Sequence, residues 1–132
     1  MPAGGNGWLG LGIDVLEVVR MRSLLRRHGK RLFRIFNPRE MRWAAGKHKA
    51  VRLAEIFAAK EAVFKSLGIN PVFFMRWREI EIVPRRSSHA VRLKNTLKKL
   101  ISAGTEELRV VWEVRGSYVY AAAVRRKRCA GS

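Results

Sequence analysis

The chain has 132 residues, enough for one domain with its own core and no need of disulfides or a structural metal. Lys and Arg total 28 against 10 Asp and Glu, a formal net charge of +18, so polyanions are its natural partners: nucleic acid, an anionic membrane, a phosphorylated cofactor or an acidic protein. A hydrophobic fraction of 48% excludes a disordered chain, and a lone cysteine, Cys129, excludes a disulfide framework and fits a reducing, cytoplasmic setting.

Residues 1–8 lack the basic-then-apolar order of a signal peptide and read as a flexible leader. Trp8 to Val15 reads as a buried strand carrying Gly10 and Gly12, with Asp14 near its end. Glu17 to His28 has helical periodicity: Val18, Met21, Leu24 and Leu25 share one side, Arg20, Arg22, Arg26 and Arg27 fill the rest, and Gly29 is the stop. Asn37, Pro38 and Glu40 form a capping-box start for a short helix closed by Gly46. The strongest helix runs from Arg52 to Leu67 and ends at Gly68, with Lys60 on its apolar face, where a cation must snorkel or meet an anion. Trp77 to Val83 alternates as a strand. Pro84 to Ser88 is a turn, and Ala90 to Leu93 is a short strand or the opening of a helix. Leu97, Leu100 and Ile101 mark a helix ending near Gly104. Leu108 to Val114 and Tyr118 to Val124 read as a hairpin joined through Arg115-Gly116-Ser117. Residues 126–132 read as a basic tail. The expected fold is α+β: a single domain over residues 9–125, with an antiparallel sheet packed against helices. No apolar run is long enough to span a bilayer, so no membrane role is expected.

Few acids exist, so each carries weight. Asp14 either caps the following helix or holds a cation at the sheet edge. Glu61 either pairs with Lys65 one turn on, as surface glutamates often do, or joins a metal site. Two carboxylates completed by water and phosphate oxygens suit magnesium, and Lys47, Arg52, Lys60 and Lys65 are the cations available to phosphate. There is no Walker loop, no complete dinucleotide fingerprint and no nucleophile elbow. His28, His48 and His89 share no ligand spacing and read as surface residues.

Two blocks carry a resemblance. Gly10-Leu11-Gly12-Ile13-Asp14-Val15, with Glu17 and Arg20, resembles the N-terminal signature of the holo-acyl-carrier-protein synthase family of 4′-phosphopantetheinyl transferases. Phe57-Ala58-Ala59-Lys60-Glu61-Ala62, continuing to Gly68, resembles its second signature. The resemblance implies transfer of the phosphopantetheine arm of coenzyme A to a serine of an apo acyl carrier protein, releasing adenosine 3′,5′-bisphosphate. It implies magnesium on Asp14 and Glu61, Glu61 as the group that helps deprotonate the serine, Lys65 on phosphate, and Lys47 on the 3′-phosphate. It further implies an acidic carrier protein docked on Arg20, Arg26 and Arg27, and a homotrimer with active sites between subunits.

The sequence departs from the family pattern at Ile56, where an arginine is usual. It departs again at Glu113-Val114-Arg115-Gly116, where Ser-x-Ser/Thr-His is usual and Arg115 stands as the substitute phosphate ligand. Two other classes of function stay open: a relative that binds carrier protein or coenzyme A without transfer, and a basic nucleic-acid-binding domain, for which charge is the only support.

Overall fold

The computed structural model describes residues 7–69, 76–86, 89–99 and 106–128. Strand β1 (Trp8–Glu17) leads into helix α1 (Val18–His28), a 3₁₀ segment (Gly29–Arg34), α2 (Pro38–Ala44) and α3 (Lys49–Leu67). A 3₁₀ turn (Trp77–Glu79) precedes β2 (Ile80–Val83), followed by β3 (His89–Leu93), α4 (Asn95–Lys99), β4 (Glu106–Arg115) and β5 (Tyr118–Lys127). The five strands form one sheet in the order β1-β5-β4-β3-β2, and every neighbouring pair is antiparallel. The expected α+β architecture is present.

Helix α3 lies along the inner face of the sheet, and its Leu53, Ile56 and Val63 are fully buried. Its far end is closed by Gly68 at φ 62°, the left-handed conformation that stops a helix. Two glycines set how close the helix comes to the sheet. A Cβ on Gly10 would lie 1.9 Å from the carbonyl oxygen of Ser66, and one on Gly12 would lie 1.8 Å from that of Ala62. Only a strand without side chains at those positions lets the two backbones touch.

The capping box at α2 forms as expected: Asn37 accepts from the backbone N–H of Glu40 at 2.9 Å, and Glu40 accepts from that of Asn37 at 2.9 Å. The β4–β5 hairpin turns through two residues, with Gly116 at φ 58° in the first position, where a positive φ is required.

Several expectations need correction. Trp77 to Glu79 is a 3₁₀ turn, and the strand begins only at Ile80. Helix α1 does end at His28, but Gly29 stays in the right-handed region (φ −50°) and continues into a 3₁₀ segment. Ala90 to Leu93 resolves as strand. At the termini, Trp8 begins β1 as the strand reading expects, while Arg126 and Lys127, assigned from sequence to the tail, belong to β5. Cross-strand acids hold that end: Arg125 pairs with Glu106 at 3.5 Å, and Arg126 pairs with Glu107. Residues 100–104, assigned from sequence to a helix end, lie outside the described residues.

The face of the sheet opposite α3 is apolar and uncovered. Leu11, Ile13 and Val15 are 63%, 59% and 49% exposed, and Val111 and Tyr120 on β4 and β5 are 53% and 45% exposed. The register places Ile13, Ala122 and Val111 in one row across three strands.

Candidate active site

The site begins where β1 crosses α3. Strand alternation turns Asp14 to the same side as Gly10 and Gly12, towards the helix. Because Gly12 touches the helix backbone at Ala62, Asp14 is carried to the turn that bears Glu61 and Lys65. The Lys65 ammonium donates to Asp14 Oδ1 at 2.9 Å and to the Ile13 carbonyl at 3.0 Å. Lys65 is half exposed, while the Asp14 side chain is only 16% exposed. Burial raises the Glu61 carboxyl above its ordinary range, the neighbouring Asp14 charge raises it further, and Lys65 opposes both. Two carboxylates from different elements thus share one electrostatic neighbourhood with one ammonium.

This geometry removes one arm of each of two sequence alternatives. Asp14 does not cap α1: the strand runs three residues further, and Glu17 holds the cap position without a side-chain cap bond. Lys65 is paired with Asp14 rather than held in a helix-surface pair with Glu61.

The other candidate residues are placed as follows. Lys60 must be corrected as a phosphate contact. Its ammonium is fully buried and donates to Glu40 Oε1 at 2.8 Å, the Ile35 carbonyl at 2.7 Å and the Trp77 carbonyl at 2.9 Å. An ammonium has three donors, and these partners use all of them. Burial lowers its pKa to about 8, against the pull of Glu40. Arg52 is committed to α2, donating to the Trp43 carbonyl at 3.0 Å with its guanidinium 5.5 Å from that ring. Lys47 is exposed in the α2–α3 connection. The start of α3 lies about 18 Å along the helix axis from Glu61, at ~1.5 Å per residue.

Arg115 is not brought to the acid pair within this chain. It shares a cross-strand row with Tyr118 and Glu17 on the outer face, where it pairs with Glu113 at 2.9 Å. On α1, Arg20 and Arg27 line a shallow groove of about 220 Å³ with Ser23, Leu24 and His28. Arg26 is exposed on the same helix.

Sequence reasoning missed a buried polar network. Glu40 completes the cap and the Lys60 pair, and also accepts from the Ile82 backbone N–H at 2.9 Å. Glu81, 2% exposed, accepts from Asn37 Nδ2 at 2.7 Å and from Lys94 at 3.2 Å. Burial pushes the Glu81 carboxyl up, but Lys94, Arg39 and Asn37 together hold it below its ordinary value. The available signal was Lys60 itself, a cation on an apolar helix face. His89 was also misread. It is partly buried, with its ring stacked on Trp112 at 3.5 Å, and Trp112 donates to Glu55 at 2.7 Å.

The two carboxylates, with Lys65 already placed as a cation against one of them, suit a hard divalent ion that takes one or two carboxylates and keeps its remaining positions for water and phosphate. Among the described residues no cluster of three or more His, Cys, Asp or Glu could enclose a metal, and no helix is long and apolar enough to cross a membrane.

Residues 10–123 match the family described as the 4′-phosphopantetheinyl transferase superfamily. The chain is 36% identical over 116 residues to a holo-[acyl-carrier-protein] synthase of Moorella thermoacetica, covering 86% of this chain and 88% of that one. It is 35% identical to the Brucella ovis protein of the same name, covering 74% and 78%. Among solved structures, the Chronobacterium ammoniagenes ACPS–CoA complex superposes with a TM-score of 0.76 at 27% identity, covering 91% of this chain and 98% of that one. The holo-[acyl-carrier-protein] synthase of Neisseria meningitidis superposes with a TM-score of 0.75 at 27% identity, covering 91% and 99%.

Proposed function

The chain belongs to the 4′-phosphopantetheinyl transferase superfamily, and on that premise we propose that it transfers 4′-phosphopantetheine from coenzyme A to a serine of an apo acyl carrier protein, releasing adenosine 3′,5′-bisphosphate. The observation that carries this reading is the meeting of Asp14 on β1 with Glu61 and Lys65 on α3. The family resemblance assigns its reacting groups to those same residues.

The serine oxygen forms a bond to the phosphorus that carries the pantetheine arm, and the bond from that phosphorus to the bridging oxygen breaks. The adenosine bisphosphate leaves with the bonding electrons. Glu61 takes the serine proton, directly or through water. Lys65 keeps an exposed ammonium beside Asp14 for the pyrophosphate. Lys47, at the other end of α3, is assigned the 3′-phosphate. Asp14 and Glu61 would hold magnesium, which supplies charge stabilisation on the phosphates when bound.

The basic face of α1, with Arg20, Arg26 and Arg27, is assigned to the acidic carrier protein, where charge complementarity speeds encounter. The uncovered apolar face of β1, β5 and β4 supports a homotrimer. In that assembly Arg115, which lies on the outer face, serves a site across a subunit boundary. The proposed setting is the cytoplasm and the proposed pathway fatty acid synthesis.

The test is to incubate the protein with coenzyme A, magnesium and apo carrier protein and to weigh the carrier by mass spectrometry. A gain of one phosphopantetheine group, lost in Asp14→Ala and Glu61→Ala, establishes the reading. Coenzyme A binding without gain on several carriers would instead favour a non-catalytic relative. That outcome would point to two departures: Ile56, fully buried where the family carries arginine, and the turn at Gly116.

A further inference from the structure

Lys65 makes two contacts of different kinds. The bond to the Ile13 carbonyl ties its ammonium to the β1 backbone, and the bond to Asp14 Oδ1 pairs it with one of the two site carboxylates. Its third N–H is free to face solvent, since half of the side chain is exposed. An ammonium in this position does two things. It offsets the mutual repulsion of Asp14 and Glu61, and it places a positive charge where any divalent cation bound by Asp14 would meet it.

We propose that Lys65 is an exchangeable counter-cation of the acid pair: it holds Asp14 in place, weakens the binding of a lone divalent cation, and is drawn off by incoming pyrophosphate while remaining anchored on the Ile13 carbonyl. This rests on reading Asp14 and Glu61 as the metal ligands. It adds that one side chain couples the two binding events, so that the metal is retained strongly only together with the phosphates. Among the described residues, the acidic groups placed against the ammonium are Asp14 and Glu61. Its neighbours along α3, Phe64 and Ser66, are buried and uncharged.

The competition has a size. An opposite charge beside a carboxylate lowers its proton affinity by about one to three logarithmic units, and the half exposure of Lys65 places the matching loss of divalent-cation affinity at the lower end of that range. Removing that charge should tighten divalent binding by about tenfold.

The experiment titrates the protein with Mn²⁺ alone, without coenzyme A, and follows the free-ion signal by electron paramagnetic resonance at fixed ionic strength. Lys65→Met and Lys65→Gln are expected to bind Mn²⁺ about tenfold more tightly than the wild type. Lys98→Met removes an equal charge from the exposed face of α4 and should change affinity less than about twofold. Unchanged urea midpoints would show that the variants remain folded, as a half-exposed position allows. Equal or weaker Mn²⁺ binding in both Lys65 variants would overturn the proposal, as would equal tightening in Lys98→Met. If Asp14→Ala binds Mn²⁺ as the wild type does, the acid pair is not the metal site, and that reading fails first.

Discussion

Replacing Lys60 by methionine separates a structural lysine from a phosphate ligand. Methionine has nearly the same length and volume, so no cavity opens, but it donates nothing. The change leaves Glu40 as a buried carboxylate without its counter-cation, strips the Ile35 carbonyl of the Lys60 donor and leaves the Trp77 carbonyl only its bond from the Ile80 backbone N–H; the lost bonds are 2.8, 2.7 and 2.9 Å long. Breaking a buried pair from one side costs about 3–5 kcal/mol. For a domain of this size, each ~1 kcal/mol corresponds to roughly 3–5 °C in melting temperature, so a fall of about 10–20 °C is expected. Urea unfolding should show a lowered midpoint with an unchanged slope. Adding Glu40→Gln removes the stranded charge and should recover part of the loss, measured as a coupling energy in the double-mutant cycle. Coenzyme A affinity in Lys60→Met, assayed well below its melting point, should match the wild type. A variant of near wild-type stability with weakened coenzyme A binding would refute the reasoning and restore Lys60 to the cofactor site.

Other outcomes follow from the same geometry. Gly12→Ala drives a Cβ to 1.8 Å from a helix carbonyl that no rotamer change can move, and a loss of at least ~3 kcal/mol in urea unfolding is expected. Burial raises the Glu55 carboxyl despite its bond from Trp112 and the nearby Arg52 charge. Between the ordinary value of 4.5 and the raised one, the folded chain therefore binds the proton more strongly than the unfolded chain, and stability falls as pH rises through that window. Glu55→Gln should remove this fall, so its urea midpoint should gain on the wild type between pH 4 and 7, by roughly those limits of an ordinary carboxyl titration. Asn37→Ala removes both the α2 cap and a donor to buried Glu81, an expected cost of about 1–3 kcal/mol. Leu11→Glu, on the uncovered sheet face, should shift the mass measured by light scattering from trimer to monomer while leaving the circular dichroism spectrum unchanged.

Much of the fold was legible because local signals agreed. Asn37, Pro38 and Glu40 announced α2, Gly68 closed α3, and the run through Gly116 and Ser117 announced a hairpin. Failures came where one pattern had two physical outcomes. Trp77 to Glu79 alternates as a strand would, yet it winds into a 3₁₀ turn while the Trp77 carbonyl receives Lys60. Arg126 and Lys127 had the composition of a tail, yet they pair with β4, Arg126 also with β1, and Glu107 meets Arg126 across the hairpin.

The candidate site was legible only through the two signature blocks. The separation of Asp14 and Glu61 along the chain carries no geometry by itself. The contact that joins them is written as absences of side chain, Gly10 and Gly12 facing small residues such as Ala62. Lys60 announced a need for an anion but could not name Glu40. Arg115 could be proposed as a ligand from its place in the motif, but which face of the sheet it occupies depends on the register of β4 against β5.

The glycine contact also bears on how the protein can change. At Gly10 and Gly12 the strand and helix meet main chain to main chain, so the gap between the two acid-bearing elements does not depend on the size or shape of any core side chain. Substitutions elsewhere in the interior can accumulate, repack and compensate one another without altering the span between Asp14 and Glu61. The site's geometry is thereby insulated from drift in the core, while two positions that carry no side chain are left with almost no freedom to vary.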